Sequence, residues 1–131
     1  MASIFTRIIN GEIPCYKVAE TSDYFAFLDI RPVAMGHTLC IPKKEVDYIF
    51  ELDDDALAGL MVFAKKVAKA IEKEVSCLRC GVAVIGLEVP HAHVHLVPLN
   101  SMADFNIQNK MDVPGDELAA LAAKIAAHFQ N

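Results

Sequence analysis

The chain has 131 residues and a formal net charge of −5 at pH 7, and 54% of its residues are hydrophobic. An acidic chain argues against nucleic-acid binding, which usually needs a basic surface, and no apolar run is long enough to span a membrane. The N-terminal residues lack a signal-peptide pattern, so we expect one cytoplasmic domain over 1–131, partly covered by a second subunit.

The N-terminal third predicts a short helix followed by three strands. "SIFTRIINGEIP" is typical of a short helix that is capped by Gly11 and stopped by Pro14, with Phe5, Ile8 and Ile9 on its apolar side. "KVAE" and "YFAFLDI" predict a hairpin across the polar "TSD", and "HTLCIP" predicts a third strand.

The middle of the chain predicts one long amphipathic helix over "DDDALAGLMVFAKKVAKAIEKEV". Three aspartates, Asp53 to Asp55, begin it and suit the positive end of the helix dipole. Its apolar positions follow helical spacing: Leu57, Leu60, Met61, Ala64, Val67, Ala68, Ile71 and Val75. "CGVAVIG" then predicts a fourth strand.

Three of the five histidines recur at every second position in "EVPHAHVHLVP", residues 88–98. Because successive strand side chains point to opposite faces, His91, His93 and His95 would share one face, roughly 7 Å apart. Pro90 and Pro98 would bracket this fifth strand. The apolar residues that would cover a core on the other face are Val89, Ala92, Val94 and Leu96. Three titratable groups on one face indicate a functional site.

The C-terminal region predicts an irregular polar stretch and a final helix over "PGDELAALAAKIAAHFQ". The helix would cover a dimer or shape the mouth of a pocket. Its dipole accounts for His128 in the last turn. We therefore expect an α+β fold of about five mainly antiparallel strands, one long helix, a short N-terminal helix and a C-terminal helix.

The four cysteines do not form the framework of a secreted disulfide scaffold. Cys77 and Cys80 form a "CLRC" pair, but no second half-site accompanies them. We interpret the cysteines as small packing residues.

These residues resemble the histidine triad family, whose signature His-x-His-x-His-x-x is "HAHVHLV" here. The resemblance extends to "IFTRIINGEIP", "FAFLDIRPVAMGHTLCIPKK" and the long helix, so it covers about residues 3 to 98, with 99–131 as an extension. It implies a homodimer with a joined sheet and a nucleoside-monophosphate pocket on each protomer. It also implies hydrolysis of nucleoside phosphoramidates, of the AMP-amine type, through a nucleotidyl-histidine, without a cofactor.

The resemblance assigns roles to four histidines. His93 matches the nucleophile, which needs a neutral imidazole nitrogen. His95 would donate to a phosphate oxygen and to the side of the leaving group, and His91 would buttress the phosphate site. His37 in "GHT" matches the histidine that orients the nucleophile.

The resemblance also implies a nucleoside site. Asp29 in "FLDI" would accept hydrogen bonds from both ribose hydroxyls. An apolar slot for the base would discriminate weakly among bases. The slot residues are Phe5, Ile8, Ile13, Phe27 and Ile30.

The segment "VIGLEVPH" before the triad departs from the family pattern. The loop is short, Leu87 replaces a glutamine, and Glu88 stands where a serine or threonine is common, whereas Gly86 is kept and lets backbone amides approach phosphate. A carboxylate beside phosphate repels it. Glu88 therefore turns away, pairs with a cation, or contacts a cationic amine leaving group, and we favour the last.

Some relatives hold structural zinc with an N-terminal cysteine pair and histidines. Ser3, Thr6 and Glu45 stand at such positions here, so we expect no metal there.

Three alternative functions stay open. The first is a dinucleoside polyphosphate hydrolase, for whose second nucleotide the short "VIGLEV" loop offers few polar contacts. The second is a zinc-binding protein that uses the triad itself, because His-x-His is a metal-binding spacing. The third is a nucleotide-binding module with little catalysis.

Overall fold

A computed structural model describes residues 2–131, and these form a five-stranded antiparallel sheet with three α-helices. The elements follow in chain order as α1 (Ile4–Ile9), β1 (Lys17–Glu20), β2 (Tyr24–Leu28), β3 (Thr38–Pro42), α2 (Asp54–Glu74), β4 (Arg79–Ala83), β5 (Val94–Leu99) and α3 (Gly115–His128). Two short 3-10 helices cover Ile49–Glu51 and Met102–Asp104. The predicted α+β fold is confirmed. None of the helices in residues 2–131 combines the length and apolar character needed to cross a membrane.

The strands lie in the order β1-β2-β3-β5-β4, and each neighbouring pair is antiparallel. The strand that carries the last histidine of the triad, β5, therefore lies between β3 and β4, while β4 forms an edge of the sheet. Hydrogen bonds on both sides of β5 hold His95 opposite Leu39 on one neighbour and Ala83 on the other.

The two faces of the sheet are covered differently. On one face, α2 and α3 pack over buried strand residues, among them Ala26, Leu28, Cys40, Val94 and Leu96. On the other face, Phe5 of α1 packs with four buried strand residues, Phe25, Phe27, Leu39 and Ile41. This second face is the one left open for a site.

The predicted helix over residues 53–75 is confirmed, with Asp53 as its N-cap, although its buried face is rotated from the prediction. Met61 is 40% exposed, whereas Phe63 and Ala70 are buried. The reason is tertiary packing: the ring of Phe63 lies 5.6 Å from that of Tyr24 on β2 and 5.8 Å from that of Phe129, which directly follows α3.

The prediction of a continuous histidine strand over 88–98 is wrong at its N-terminal end, because β5 begins only at Val94. The amide of His91 donates to the carbonyl of Val89 at 2.8 Å, which makes a tight turn around Pro90. The amide of Ala92 then donates outside the sheet, to Val46 at 2.7 Å.

This turn changes which face each residue uses. Val89 packs with the Phe5 cluster instead of joining Ala92 in the helix-covered core. Pro98 does not bracket the strand, since it lies inside β5 opposite Cys80.

The C-terminal helix α3 forms as predicted, and Leu118, Ala122 and Ile125 are buried. It packs on α2 and β1, away from the open face of the sheet. His128 has a partner beyond the helix dipole, because its Nε2 lies 3.2 Å from Oε1 of Glu74.

All four cysteines are free thiols. Burial raises the pKa of Cys80 to about 12 and also raises the pKa of Cys77. Thiols held protonated in this way are poor nucleophiles and metal ligands, which supports the packing interpretation.

Candidate active site

A cavity of about 780 Å³ opens on the face of the sheet that α2 and α3 leave free. Its size is typical of small-molecule sites. The walls are α1, the ends of β2 and β3, the loop before the triad, and a segment near residue 110. The structure brings to it all five residues of the predicted slot, Phe5, Ile8, Ile13, Phe27 and Ile30. Asp29, His37, Gly86, Glu88, His93 and His95 also line it, whereas His91 does not.

His93 presents an unoccupied nitrogen to the cavity. Its Nδ1 lies 2.7 Å from the carbonyl oxygen of His91. A carbonyl only accepts, so Nδ1 carries the proton and the lone pair of the neutral ring is on Nε2. Among residues 2–131 no buried side-chain nitrogen or oxygen lacks a partner. Because Nε2 makes no hydrogen bond to these residues, it faces cavity space.

His95 carries its proton on the other ring nitrogen, Nε2. The amide of Val33 donates to Nδ1 of His37 at 3.2 Å, so the neutral ring of His37 carries its proton on Nε2. That Nε2 lies 2.9 Å from Nδ1 of His95. His95 therefore accepts at Nδ1 and holds a proton on Nε2.

The rings of His93 and His95 lie 5.0 Å apart between centroids, closer than the roughly 7 Å of a regular strand. Burial, reinforced by His93, His37 and Lys110, lowers the pKa of His95 to about 4. Burial likewise lowers the pKa of His37. Both rings are neutral near pH 7, as the tautomer assignment requires.

The structure places His37 against His95 and not against His93, which differs from the sequence prediction. Nδ1 of His93 is already held by the backbone at position 91. Any effect of His37 on His93 therefore passes through His95.

The turn before His37 needs a glycine. Gly36 has φ +94°, a region that other residues rarely adopt. A Cβ at this position would also lie 3.1 Å from side-chain atoms of Pro98 and Val75. The amide of His37 then donates to the carbonyl of Ala34 at 3.0 Å, which completes the turn.

His91 supports the site from beneath. Its ring is fully buried, with Nε2 2.7 Å from the carbonyl oxygen of Pro42 and Nδ1 2.8 Å from Oγ of Ser3. Burial lowers the pKa of His91. His91 reaches the site through its carbonyl, which holds Nδ1 of His93, and through ring packing on Phe5.

Asp29 lines the cavity beside the histidine pair. Its Oδ1 accepts from the amide of Arg31 at 2.9 Å, and its Oδ2 lies 3.8 Å from Nε2 of His37. Each of Asp29, His37 and His95 offers one ligand atom within 4.8 Å of the others. However, the nitrogen of His37 that would face a metal carries the proton fixed by the amide of Val33, so this donor set is poorly suited to metal.

The loop before the triad places Gly86 and Glu88 at the mouth of the cavity. Gly86 has φ +75°, which glycine accommodates without strain. Oε2 of Glu88 lies 4.0 Å from Nζ of Lys110, so of the three predicted arrangements the structure shows pairing with a cation.

The wall near residue 110 was missed by sequence reasoning. Ile107, Gln108 and Lys110 line the cavity from the irregular segment between β5 and α3. A polar, turn-rich stretch carries no periodicity from which its position could be predicted. The C-terminal helix, which we expected at the dimer or the pocket mouth, does not line the cavity.

Ser3, Thr6 and Glu45, the residues at which we expected no zinc, lie close together. Oε1 of Glu45 accepts from the amide of Ser3 at 2.7 Å and from Oγ1 of Thr6 at 2.6 Å. All three side chains offer oxygen atoms that already form hydrogen bonds. None is a thiolate, which is the softest ligand in structural zinc sites.

Comparison with known proteins agrees with this geometry. The family model for the HIT (histidine triad) domain matches residues 10–102, which include the four histidines of the candidate site. The protein belongs to the HIT family. Its HIT domain includes the whole sheet and α2, while α3 and most of the segment that carries Lys110 lie beyond the matched range.

Individual HIT proteins match over most of their length. The adenosine 5'-monophosphoramidase hnt1 of Schizosaccharomyces pombe is 41% identical over 99 residues, covering 75% of this chain and 74% of the relative. An uncharacterized HIT-like protein of Borreliella burgdorferi is 33% identical and covers 96% and 97%. The crystal structure of a Hit-like protein from Bartonella henselae has a TM-score of 0.84 at 33% identity, covering 97% and 96%.

Proposed function

We propose that this HIT protein hydrolyses nucleoside phosphoramidates of the AMP-amine type through a nucleotidyl intermediate on His93. Family membership and the phosphoramidase relative support a hydrolase acting at a nucleotide phosphorus. The proposed substrate class and intermediate rest on one observation: two ring nitrogens that line the same cavity differ in protonation. His93 offers a lone pair on Nε2 and its neighbour His95 offers a proton on Nε2.

The nucleoside would bind between α1 and the sheet. Phe5, Phe27 and Ile8 form an apolar wall for a base, and the free lone pairs of Asp29 would accept from the ribose hydroxyls. This placement would bring the α-phosphate toward His93 and His95. Because the slot is mainly apolar, we expect weak discrimination among bases.

In the first step, Nε2 of His93 attacks the α-phosphorus while the bond from phosphorus to the amine nitrogen breaks. A bound phosphate carries negative charge, which favours uptake of one proton from solvent by the hydrogen-bonded His37–His95 pair. His95 then gives the proton on its Nε2 to the departing nitrogen, and the pair returns to its neutral state. In the second step, water attacks the phosphorus, the bond to His93 breaks, AMP leaves and His95 regains a proton from the water.

Lys110 would act on the phosphate side of this reaction. It lines the cavity with both histidines, and its charge contributes to the lowered pKa of His95. When a phosphate attracts Lys110, the carboxylate of Glu88 loses its partner and becomes available to a cationic amine leaving group. If Glu88→Gln left the ranking of cationic and neutral amine substrates unchanged, this role of Glu88 would be wrong.

The proposed unit is a homodimer joined at β4. This strand is an edge of the sheet, and Val82 on it is 54% exposed. Val84 and Ile85 just after it are 39% and 45% exposed. A second copy would satisfy the free edge and cover these side chains. Light scattering should give twice the chain mass, and Val82→Lys should shift the protein toward the monomer.

The deciding experiment measures AMP release from a panel of AMP-amine conjugates, a diadenosine polyphosphate and AMP alone as a binding control. We expect phosphoramidates to turn over fastest, and His93→Ala to abolish turnover while the far-UV spectrum stays native. A slow variant such as His95→Asn should accumulate a nucleotidyl group that mass spectrometry detects on His93.

The result that rejects the proposal is AMP binding without release from any conjugate, which favours a binding module. Faster turnover of the diadenosine compound favours the polyphosphate hydrolase. Activity lost on adding a chelator, with one metal bound per chain, favours the zinc-binding alternative.

A further inference from the structure

A polar cluster under α1 lies outside the cavity wall described above. It consists of Ser3, Thr6, Glu45 and His91, and His91 and Ser3 are buried. Besides the two bonds to Glu45, the amide of Thr6 donates to Oγ of Ser3 at 3.1 Å, which caps α1. The cluster therefore ties the start of α1 to the segment after β3 and to the triad.

The direction of each hydrogen bond in this cluster can be assigned. The Pro42 carbonyl only accepts, so Nε2 of His91 carries the proton and Nδ1 carries the lone pair. Oγ of Ser3 therefore donates to Nδ1 at 2.8 Å. Thr6 donates its hydroxyl to Glu45, and the hydrogen bonds from Thr6 and Ser3 lower the pKa of Glu45, so its carboxylate stays ionised.

Two contacts connect the cluster to the nucleophile. The carbonyl of His91 accepts from Nδ1 of His93 at 2.7 Å, and this bond keeps the lone pair of His93 on the cavity side. Phe5, which lies between Ser3 and Thr6 in sequence, packs edge-on against His91 and His93, with centroids 5.8 and 5.1 Å apart.

We propose that Ser3, Thr6 and Glu45 are positioning residues that fix the tautomer and orientation of His93 through His91 and Phe5. None of the three lines the cavity, so each acts through another residue. The inference rests on the proposed function, since it assigns His93 as the nucleophile. Loosening the cluster lets the ring of His93 rotate out of line with the phosphorus, whereas Phe27, the part of the nucleoside wall that the sheet supplies, keeps its place.

The first test compares Ser3→Ala with Ser3→Thr. Alanine removes the donor to His91, whereas threonine retains a hydroxyl. We expect Ser3→Ala to lower kcat about 10- to 100-fold with KM changed less than about threefold, because misorientation affects the step of attack. Ser3→Thr should recover most of kcat. Ser22→Ala, which removes an exposed hydroxyl whose one hydrogen bond within residues 2–131 goes to Asp23, is the matched control.

The second test uses Glu45. Glu45→Gln keeps an oxygen that accepts from Ser3 and Thr6 and should stay near wild type, whereas Glu45→Ala should behave like Ser3→Ala. Nitrogen-15 NMR of the imidazoles supplies a readout that does not depend on turnover. We expect one Nδ1-protonated tautomer of His93 in the wild type and a mixture in both alanine variants.

The proposal is overturned if both alanine variants fold and keep wild-type kcat and a single His93 tautomer. It is also overturned if Ser3→Thr has a kcat as low as that of Ser3→Ala while NMR finds the same His93 tautomer in both variants. If the wild type releases no AMP from any conjugate, the proposed function fails, and the tautomer comparison alone then decides the positioning role.

Discussion

Acidification should destabilise this protein above the range in which carboxylates protonate, because burial lowers the pKa values of His37, His91 and His95 and keeps their rings neutral. The perturbation is a change from about pH 7 to about pH 5. His95 has a pKa of about 4 in the folded protein, against an ordinary value of 6.5. The unfolded chain therefore binds a proton in this range that the folded protein does not bind, so stability falls as pH falls.

The magnitude follows from the two pKa values of His95. Between about pH 7 and pH 5, this one residue removes about 2 kcal/mol from the free energy of unfolding. His37 and His91 act in the same direction, since burial lowers the pKa of each. The lowered pKa values of Glu20, Glu45 and Asp104 would act only at lower pH, as those carboxylates protonate.

Urea unfolding followed by far-UV circular dichroism provides the assay, since the chain has no tryptophan for fluorescence. Protein concentration is held constant in case a dimer contributes to stability. His95→Asn keeps an acceptor for His37 and should reduce the loss by about 2 kcal/mol. His128→Asn, which removes an imidazole that is 36% exposed, is the control. A wild-type stability that is flat from pH 7 to pH 5, with an unchanged m-value, would falsify the assignment of neutral buried rings.

Three further predictions concern other parts of the molecule. Lys110→Met should lower kcat/KM about 10- to 100-fold through loss of a charge-assisted phosphate contact, and equal kcat/KM would contradict that contact. Gly36→Ala should lower both kcat and the melting temperature, because φ +94° is strained for alanine and His37 follows directly. Ile71→Ala, on the face opposite the cavity, should cost about 2–5 kcal/mol in urea unfolding while KM stays constant. A changed KM in that variant would show coupling between the helix-covered core and the site.

The order and type of the elements could be predicted because hydrophobic periodicity and turn residues are local signals. Asp53 as a helix cap and Leu118, Ala122 and Ile125 as a buried stripe are examples. The end of the histidine strand could not be predicted from alternation, since the turn at Pro90 depends on a hydrogen bond to distant Val46. Burial of Phe63 likewise depends on residues distant in sequence, since its ring packs against those of Tyr24 and Phe129.

Most residues of the site could be predicted from the sequence, but the hydrogen bonds between them could not. The resemblance gave His37, His93 and His95, and all three line one cavity. Which histidines hydrogen-bond to each other depends on the backbone groups that bind their ring nitrogens, such as the Val33 amide that donates to His37. No sequence pattern indicates these contacts. Lys110 enters through an irregular segment whose course only tertiary contacts determine.

The floor and the rim of the cavity differ in their tolerance to mutation. Its floor is built from β-strands fixed on both sides, whereas its rim consists of loops in which Leu87 is 88% exposed and Glu88 and Lys110 form a loose pair. Amino-acid changes at the rim alter few packed contacts, so they carry small stability costs. A library randomised at Leu87 and Glu88, with Lys110 retained, should therefore change leaving-group selectivity while the phosphate contact and the histidines are kept.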